Sequence, residues 1–294
     1  MIKKIFYPIL FLLLFGALLS FLGRNSDYAA ERKLVSANKL FLKSARTPET
    51  IPPRLYEKIK KSYEKIIARY DGTKSEKEAR LLLSRLYMFM KDYAAARAEL
   101  NKIIEKYPDN ESYCAEAVFT SGNSYEAENK WDKALAEYER IMRDYTPVAR
   151  ALDMPIYIAG HYAKNNDKKS ADAYLWKALG YYKKIYENNP NSQAAYVAMG
   201  LEVTVFELLG EWQNTLTSIQ QIINAYPYAP TLINSLRAIE MIAVSRLKDP
   251  EAAIKIFTDF IEKYPEHKIK PIILKEIENI KTKSQNNDAD KPKS

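Results

Sequence analysis

The sequence predicts an all-α chain of repeated helix pairs, and three observations carry that prediction. Glycine is scarce, with 8 in 294 residues, which disfavours hairpins and tight turns. One five-residue apolar spacing returns along the chain at a near-constant interval. A proline follows almost every copy of that spacing and closes it. Hydrophobic residues make up 47 % of the chain, enough for a substantial core.

The first element is an address. Residues Ile5 to Gly23 hold no charge over 19 positions. As a helix they would span about 28 Å, close to the ~30 Å hydrocarbon core of a bilayer. Lys3 and Lys4 precede the run, and Arg24, Arg32 and Lys33 follow it. The leading lysines favour a cytoplasmic N-terminus. A cleaved signal peptide needs small residues one and three positions before the cut. Cuts after Gly23 or Ala30 would place Phe21 or Tyr28 at the outer position. Residues 1–24 are therefore expected as an uncleaved anchor, with cleavage as the alternative. Either outcome puts the rest outside the cytoplasm: tethered to a bacterial inner membrane, or secreted to the periplasm.

Residues 25–53 follow as a polar helical stalk that ends in the break Thr47–Pro53, three prolines in seven positions. From residue 54 to 281 the repeats dominate. Ala96, Leu100, Ile103, Ile104 and Tyr107 stand at steps of 4, 3, 1 and 3. The same steps return at Ala134–Tyr145, Thr215–Tyr226 and Ala253–Tyr264, with an early copy at Ile59–Tyr70. A weaker copy runs from Ala178 to Asn189. Such steps place all five residues on one helical face. Pro108, Pro190, Pro227 and Pro265 come next, and proline cannot continue the helix. The closing residues lie 37, 38, 44, 37 and 38 apart, so the third unit carries an insertion of about two turns near 163–177.

Each period holds an earlier helix. Ser84 and Tyr87 stand twelve and nine residues before Ala96, as Gly122 and Tyr125 do before Ala134. Ala159 and Tyr162 stand in the same relation to Ala171. In the last two units Val203 and Met241 occupy the small position, which predicts splayed pairs there. A small residue on the first helix and Ala on the second permit close approach, and the aromatic fills the space beyond. The repeat-packing set is thus Ser84, Tyr87, Ala96, Gly122, Tyr125, Ala134, Ala159, Tyr162, Ala171 and Ala253.

This pattern resembles the tetratricopeptide repeat (TPR) over roughly residues 54–270: a small residue, an aromatic, an Ala, a large apolar residue and a closing Pro. The long period and the Tyr-Pro endings are similar to those of bacterial cell-envelope TPR proteins. Examples are the outer-membrane assembly lipoproteins and the periplasmic factor of the Tol–Pal system, although no lipobox cysteine follows the apolar run here. The resemblance implies a right-handed superhelix, a solenoid of antiparallel helix pairs with about five repeats and an early half-repeat. Pro271–Lys281 is expected to cap it, and the polar residues 282–294 are expected as a disordered tail.

Catalytic, metal and cofactor residues are expected to be none. The two histidines, His161 and His267, are far apart in sequence and lack a partner at ligand spacing. Cys114 is the lone cysteine and reads as a buried structural thiol. No Gly-rich phosphate loop occurs. The net charge of +8 is interleaved with acids along every helix, so neither nucleic acid nor a small-molecule substrate is expected. The expected partners are other proteins, and a membrane through residues 5–23. First-helix positions not used in packing supply the expected groove: Leu81, Arg85, Met88, Phe119, Asn123, Glu126, Ile156 and Gly160, with Ala163 beside them. Their packing against the next repeat is the alternative. TPRs that grip acidic C-terminal tails use Lys and Asn in the groove; only Asn123 matches, with Phe119 where Lys is needed. The expectation is a non-enzymatic membrane-tethered scaffold in the cell envelope, with a cytoplasm-facing adaptor as alternative.

Overall fold

Short polar side chains set the helix starts. Thr73, Asp92, Asn110, Asp167, Ser192 and Asp249 each accept a hydrogen bond from the backbone N–H three residues on, at 3.0–3.2 Å. Each bond satisfies one of the donors that a helix start leaves open. The structure, a computed structural model, describes residues 27–45, 51–146 and 148–289. The expected anchor at 5–23 lies outside the described residues. Among the described residues no helix is long and apolar enough to cross a membrane.

The described elements are helical throughout. They are α1 (Asp27–Ser44), α2 (Pro53–Arg69), α3 (Lys74–Phe89), α4 (Tyr93–Lys106), α5 (Glu111–Ala127), α6 (Trp131–Asp144) and α7 (Ala149–Lys164). There follow α8 (Lys168–Asn188), α9 (Gln193–Leu209), α10 (Trp212–Ala225), α11 (Leu232–Met241), a π-helical segment Ile242–Leu247, α12 (Pro250–Lys263) and α13 (Lys270–Ala289). The chain divides into two compact units, one ending at Ala151 and one beginning at Leu152.

Each pair is joined by the same turn. Lys91, Asn129, Asn166, Gly210 and Lys248 all take the left-handed conformation, with φ between 58° and 76°. The next backbone N–H then reaches back to the aromatic position: Asp92 to Tyr87, Lys130 to Tyr125, Asp167 to Tyr162 and Glu211 to Phe206, at 2.8–2.9 Å. This is the bond that closes a helix ending in a left-handed residue. In the last pair Asp249 N–H reaches Ala243 rather than Val244, because the π turn adds a residue. Met241, expected at the contact, is consequently exposed, while Ile242 and Ala243 are fully buried.

Second helices end as expected. The N–H groups of Tyr70, Tyr107, Tyr145, Asn189, Tyr226 and Tyr264 close the final turn on the carbonyl four residues earlier. The insertion in the third unit lies in α8, which has 21 residues where α4, α6, α10 and α12 have 14. Ala96, Ala134, Ala171 and Ala253 are buried, as are Ser84, Gly122 and Ala159; Tyr87, Tyr125 and Tyr162 are half-buried.

Two segments differ from expectation. Helix α1 does not stand off as a stalk: Ala30, Leu34, Ala37 and Phe41, at steps of 4, 3 and 4, are buried against Ile59, Tyr63 and Ile66 of α2 and Leu86 of α3. Its charged residues stay exposed. Helix α13 seats Ile273 and Ile280 in the core of the second unit and continues past Lys281 to Ala289. After Pro271 in its first turn, no proline or glycine occurs before Pro292.

Gly122 is where the close approach is tightest. A Cβ built there would overlap the ring of Tyr138 on α6. That ring cannot swing away: it is fully buried, and its one hydroxyl proton is shared between two acceptors, Asn123 Oδ1 and Glu126 Oε2, each at 2.8 Å. Gly122→Val is expected to cost about 2–3 kcal/mol by overpacking. Gly200 on α9 has open space around its Cα. Gly200→Ala is expected to stabilise by about 0.5–1 kcal/mol through helix propensity alone. Urea melts of the two variants check the contrast.

Candidate functional site

In the first unit the first helices of successive pairs lie side by side. Arg85 and Met88 on α3 face Phe119 and Asn123 on α5, and the four line one depression of about 400 Å³. Phe41 from α1, Phe89, Glu116 and Thr120 complete its lining. Phe41 and Phe89 meet edge to face at 6.0 Å. Four of the six groove residues expected on these two helices therefore converge, and α1, expected as a stalk, supplies a wall.

The chemistry is apolar with a charged border. Glu116 accepts from Arg85 at 3.0 Å and from Arg150 at 2.7 and 3.0 Å. The Arg150 guanidinium also lies over the Phe119 ring, 4.1 Å from its centre. Two guanidiniums thus share one carboxylate and leave net positive charge beside four apolar side chains. A neighbouring depression of about 680 Å³ shares Arg85 and Glu116 and adds Lys74, Lys77, Glu78, Leu81 and Tyr113. Leu81 is its floor: only 9 % exposed, it packs with Leu100, Ile103 and Ala117.

Other expected site residues fall elsewhere. Glu126 is held by the Tyr138 hydroxyl and does not line these depressions. Ile156, Gly160 and Ala163 come together in the second unit, in a depression of about 530 Å³ that also takes Ala171, Leu175 and Leu208. Sequence reasoning missed Phe41, Phe89, Glu116 and Arg150. The steps of 4, 3 and 4 through α1 were the available signal for the first of these.

Cys114 is fully buried and its thiol donates to the Tyr107 carbonyl at 3.2 Å. Burial pushes its pKa up, away from a reactive thiolate. The His267 ring accepts at Nδ1 from the Ile269 N–H at 3.1 Å. Its Nε2 therefore carries the proton and donates to the Pro227 carbonyl at 3.1 Å. Its face stacks on Tyr228 at 4.8 Å. It is a loop clamp. His161 meets Tyr162 edge to face at 5.9 Å. Among the described residues no three His, Cys, Asp or Glu side chains are grouped to hold a metal ion.

Tetratricopeptide-repeat family models match residues 56–118, and residues 116–146 and 241–267. The chain carries tetratricopeptide repeats in these segments. No curated protein matches the chain. Several solved structures resemble it loosely. A thermophilic TPR protein of Thermus thermophilus is 15 % identical with a TM-score of 0.36, covering 69 % of this chain and 98 % of its own. The C-terminal part of a TPR repeat-containing protein from Cytophaga hutchinsonii is 15 % identical with a TM-score of 0.42, covering 87 % and 90 %. The TPR2AB domain of yeast Sti1, solved in complex with pHSP90, is 11 % identical with a TM-score of 0.35, covering 88 % and 100 %. None of these likenesses is close enough to bring a partner across to this chain.

Proposed function

We propose that this repeat protein is a non-enzymatic scaffold, tethered to a bacterial membrane through residues 5–23, that holds a segment of another protein in the first unit's depression. The observation that carries this reading is the convergence of Arg85, Met88, Phe119 and Asn123 from two first helices onto one open surface. A peptide or partner helix fits that chemistry. One apolar side chain would enter among Phe41, Met88, Phe89 and Phe119. A carboxylate close to it would meet the guanidiniums of Arg85 and Arg150. The uncharged run Ile5–Gly23 and the lysines before it support an extracytoplasmic location for the repeats.

The test is crosslinking of the full-length protein in its own membranes, comparing the parent with Met88→Asp. Met88 is half-buried in the depression and lies outside the ion pairs, so the change places a charge in the groove with the fold retained. The expected result is a tenfold or greater loss of specific envelope partners, the scale of one interface anchor. Undiminished recovery by the variant would move binding away from this depression. Recovery of cytoplasmic partners would reverse the topology.

A further inference from the structure

Interleaved along the sequence, the positive charges of α1 and α2 converge in space. The cleft between these helices, about 900 Å³, is lined by Lys33, Lys39 and Lys43 from α1 and by Lys58, Lys65 and Arg69 from α2. Among the described residues no carboxylate lines it. None of the six cations takes part in an ion pair with a described residue; Lys33 and Arg69 rest over the Tyr70 ring at 5.2 and 5.8 Å. Six like charges around one cleft repel one another and call for an anionic occupant.

A second feature adjoins it. Tyr28, Val35 and Leu42 on α1 are 69 %, 60 % and 55 % exposed. Steps of seven set them on one line along the helix, with Arg32 and Lys39 between them on the same side. The line lies on the opposite side of α1 from its buried residues Ala30, Leu34, Ala37 and Phe41. An apolar stripe edged by Arg and Lys on the outer face of a helix is the pattern of helices that lie in a membrane interface. The uncharged run ends at Gly23, four residues before α1 begins at Asp27.

We infer that the outer face of α1 and the cleft behind it rest on an anionic bilayer surface, with lipid phosphates taken up between the lysines of α1 and α2. The inference builds on the tether in the proposed function. A second copy of the chain fits this face less well, since pairing the stripes would bring Arg32, Lys39 and Lys43 against their own like charges. A bilayer supplies both the hydrocarbon for Tyr28, Val35 and Leu42 and the phosphates for the cations. Polybasic segments next to a membrane anchor gain from such contact, and the gain is lost in salt.

The test uses the full chain on vesicles of phosphatidylcholine alone or mixed with phosphatidylglycerol. An environment-sensitive dye is attached at Val35→Cys, with a second sample labelled at Tyr228→Cys, 77 % exposed on the second unit. Cys114 is buried and stays unlabelled in the folded protein. Brominated lipid then reads contact with the hydrocarbon. The expected result is quenching at position 35 on anionic vesicles, none at 228, and loss of quenching near 1 M salt, where the screening length is about 3 Å. Changing Lys39 and Lys43 to Glu is expected to lower the docked-to-free ratio about fivefold or more per site.

Flotation separates this inference from the tether. A chain that floats with both vesicle types while position 35 stays in water overturns the surface contact and leaves the anchor standing. A chain that floats only with anionic vesicles, with position 35 quenched, supports the surface contact and removes the anchor. Quenching at 35 that is equal on neutral lipid and indifferent to salt overturns the role of the cations. The salt titration needs no lysine variant and so holds even where such a variant misfolds.

Discussion

Replacing Glu76 with Ala is expected to destabilise the first unit by about 3 kcal/mol, the lower end of the cost of breaking a buried ion pair. Glu76 sits in the first turn of α3 and is fully buried. Its carboxylate accepts from Arg80 and from the Tyr107 hydroxyl, and Lys106 lies 3.4 Å away. Arg80 bridges on to Glu99 at 2.7 Å, and Lys102 meets Glu99 at 2.9 Å. Removing Glu76 leaves the nearly buried Arg80 guanidinium and the Tyr107 hydroxyl short of an acceptor. Asp71, by contrast, pairs with Lys106 from a site 73 % exposed, so Asp71→Ala is expected to cost under about 1 kcal/mol. Replacing Glu76 and Arg80 together by Met is expected to restore much of the loss, since no buried charge then lacks a partner. Urea melts, with hydrogen exchange of the α3 and α4 amides, read all three. A Glu76→Ala protein as stable as Asp71→Ala would show that the network contributes nothing beyond a surface pair.

That network marks the boundary of what the sequence discloses. The helices and their ends were legible because periodicity and proline act locally: Tyr107, Tyr226 and Tyr264 close their helices where the following proline demands it. The small position at Gly122 was legible too, as a matter of volume at a fixed spacing, but its partner was not: the spacing paired Gly122 with Ala134, and the ring that lies against it is that of Tyr138. Ion pairs between helices are different. Glu76 meets Tyr107 and Arg85 meets Glu116 across 31 positions, and no periodic signal tells which charge among many turns inward. The same reason hid the cationic cleft. Lys33 and Lys65 look like ordinary solvated positions until α1 folds back on α2 across the prolines at 52 and 53. The π turn at Ile242–Leu247 was hidden for another reason: one added residue rotates Met241 out and Ile242 in, and nothing in MIAVSRL announces it.

Glu202→Gln is expected to stabilise the second unit by about 1–3 kcal/mol at pH 8, the cost of an unmet buried polar group. Glu202 on α9 is 8 % exposed, and its Oε2 has no hydrogen-bond partner among the described residues. Its Oε1 sits at a long 3.4 Å from the Tyr186 hydroxyl. Burial raises its pKa above the usual 4.5, while the Tyr186 hydrogen bond and the charge of Lys183 oppose that rise only in part. The sign of the pH dependence follows. As pH rises from the usual carboxylate range, the unfolded chain loses this proton first, and the folded chain holds it until its own raised pKa is passed. Across that interval the folded state binds more protons, so the parent loses stability with rising pH and the penalty is complete above the folded pKa. The gain from Glu202→Gln should therefore be full at pH 8, shrink as pH falls through the interval, and vanish below about pH 4, where both side chains are neutral. Thermal melts of parent and variant at matched pH values measure the difference, which cancels the titration of every other group. A gain independent of pH would mean that Glu202 has the same pKa folded as unfolded, so that burial does not disfavour its charge. A loss at pH 8 would mean that its charge finds a donor within the second unit and helps hold α8 to α9.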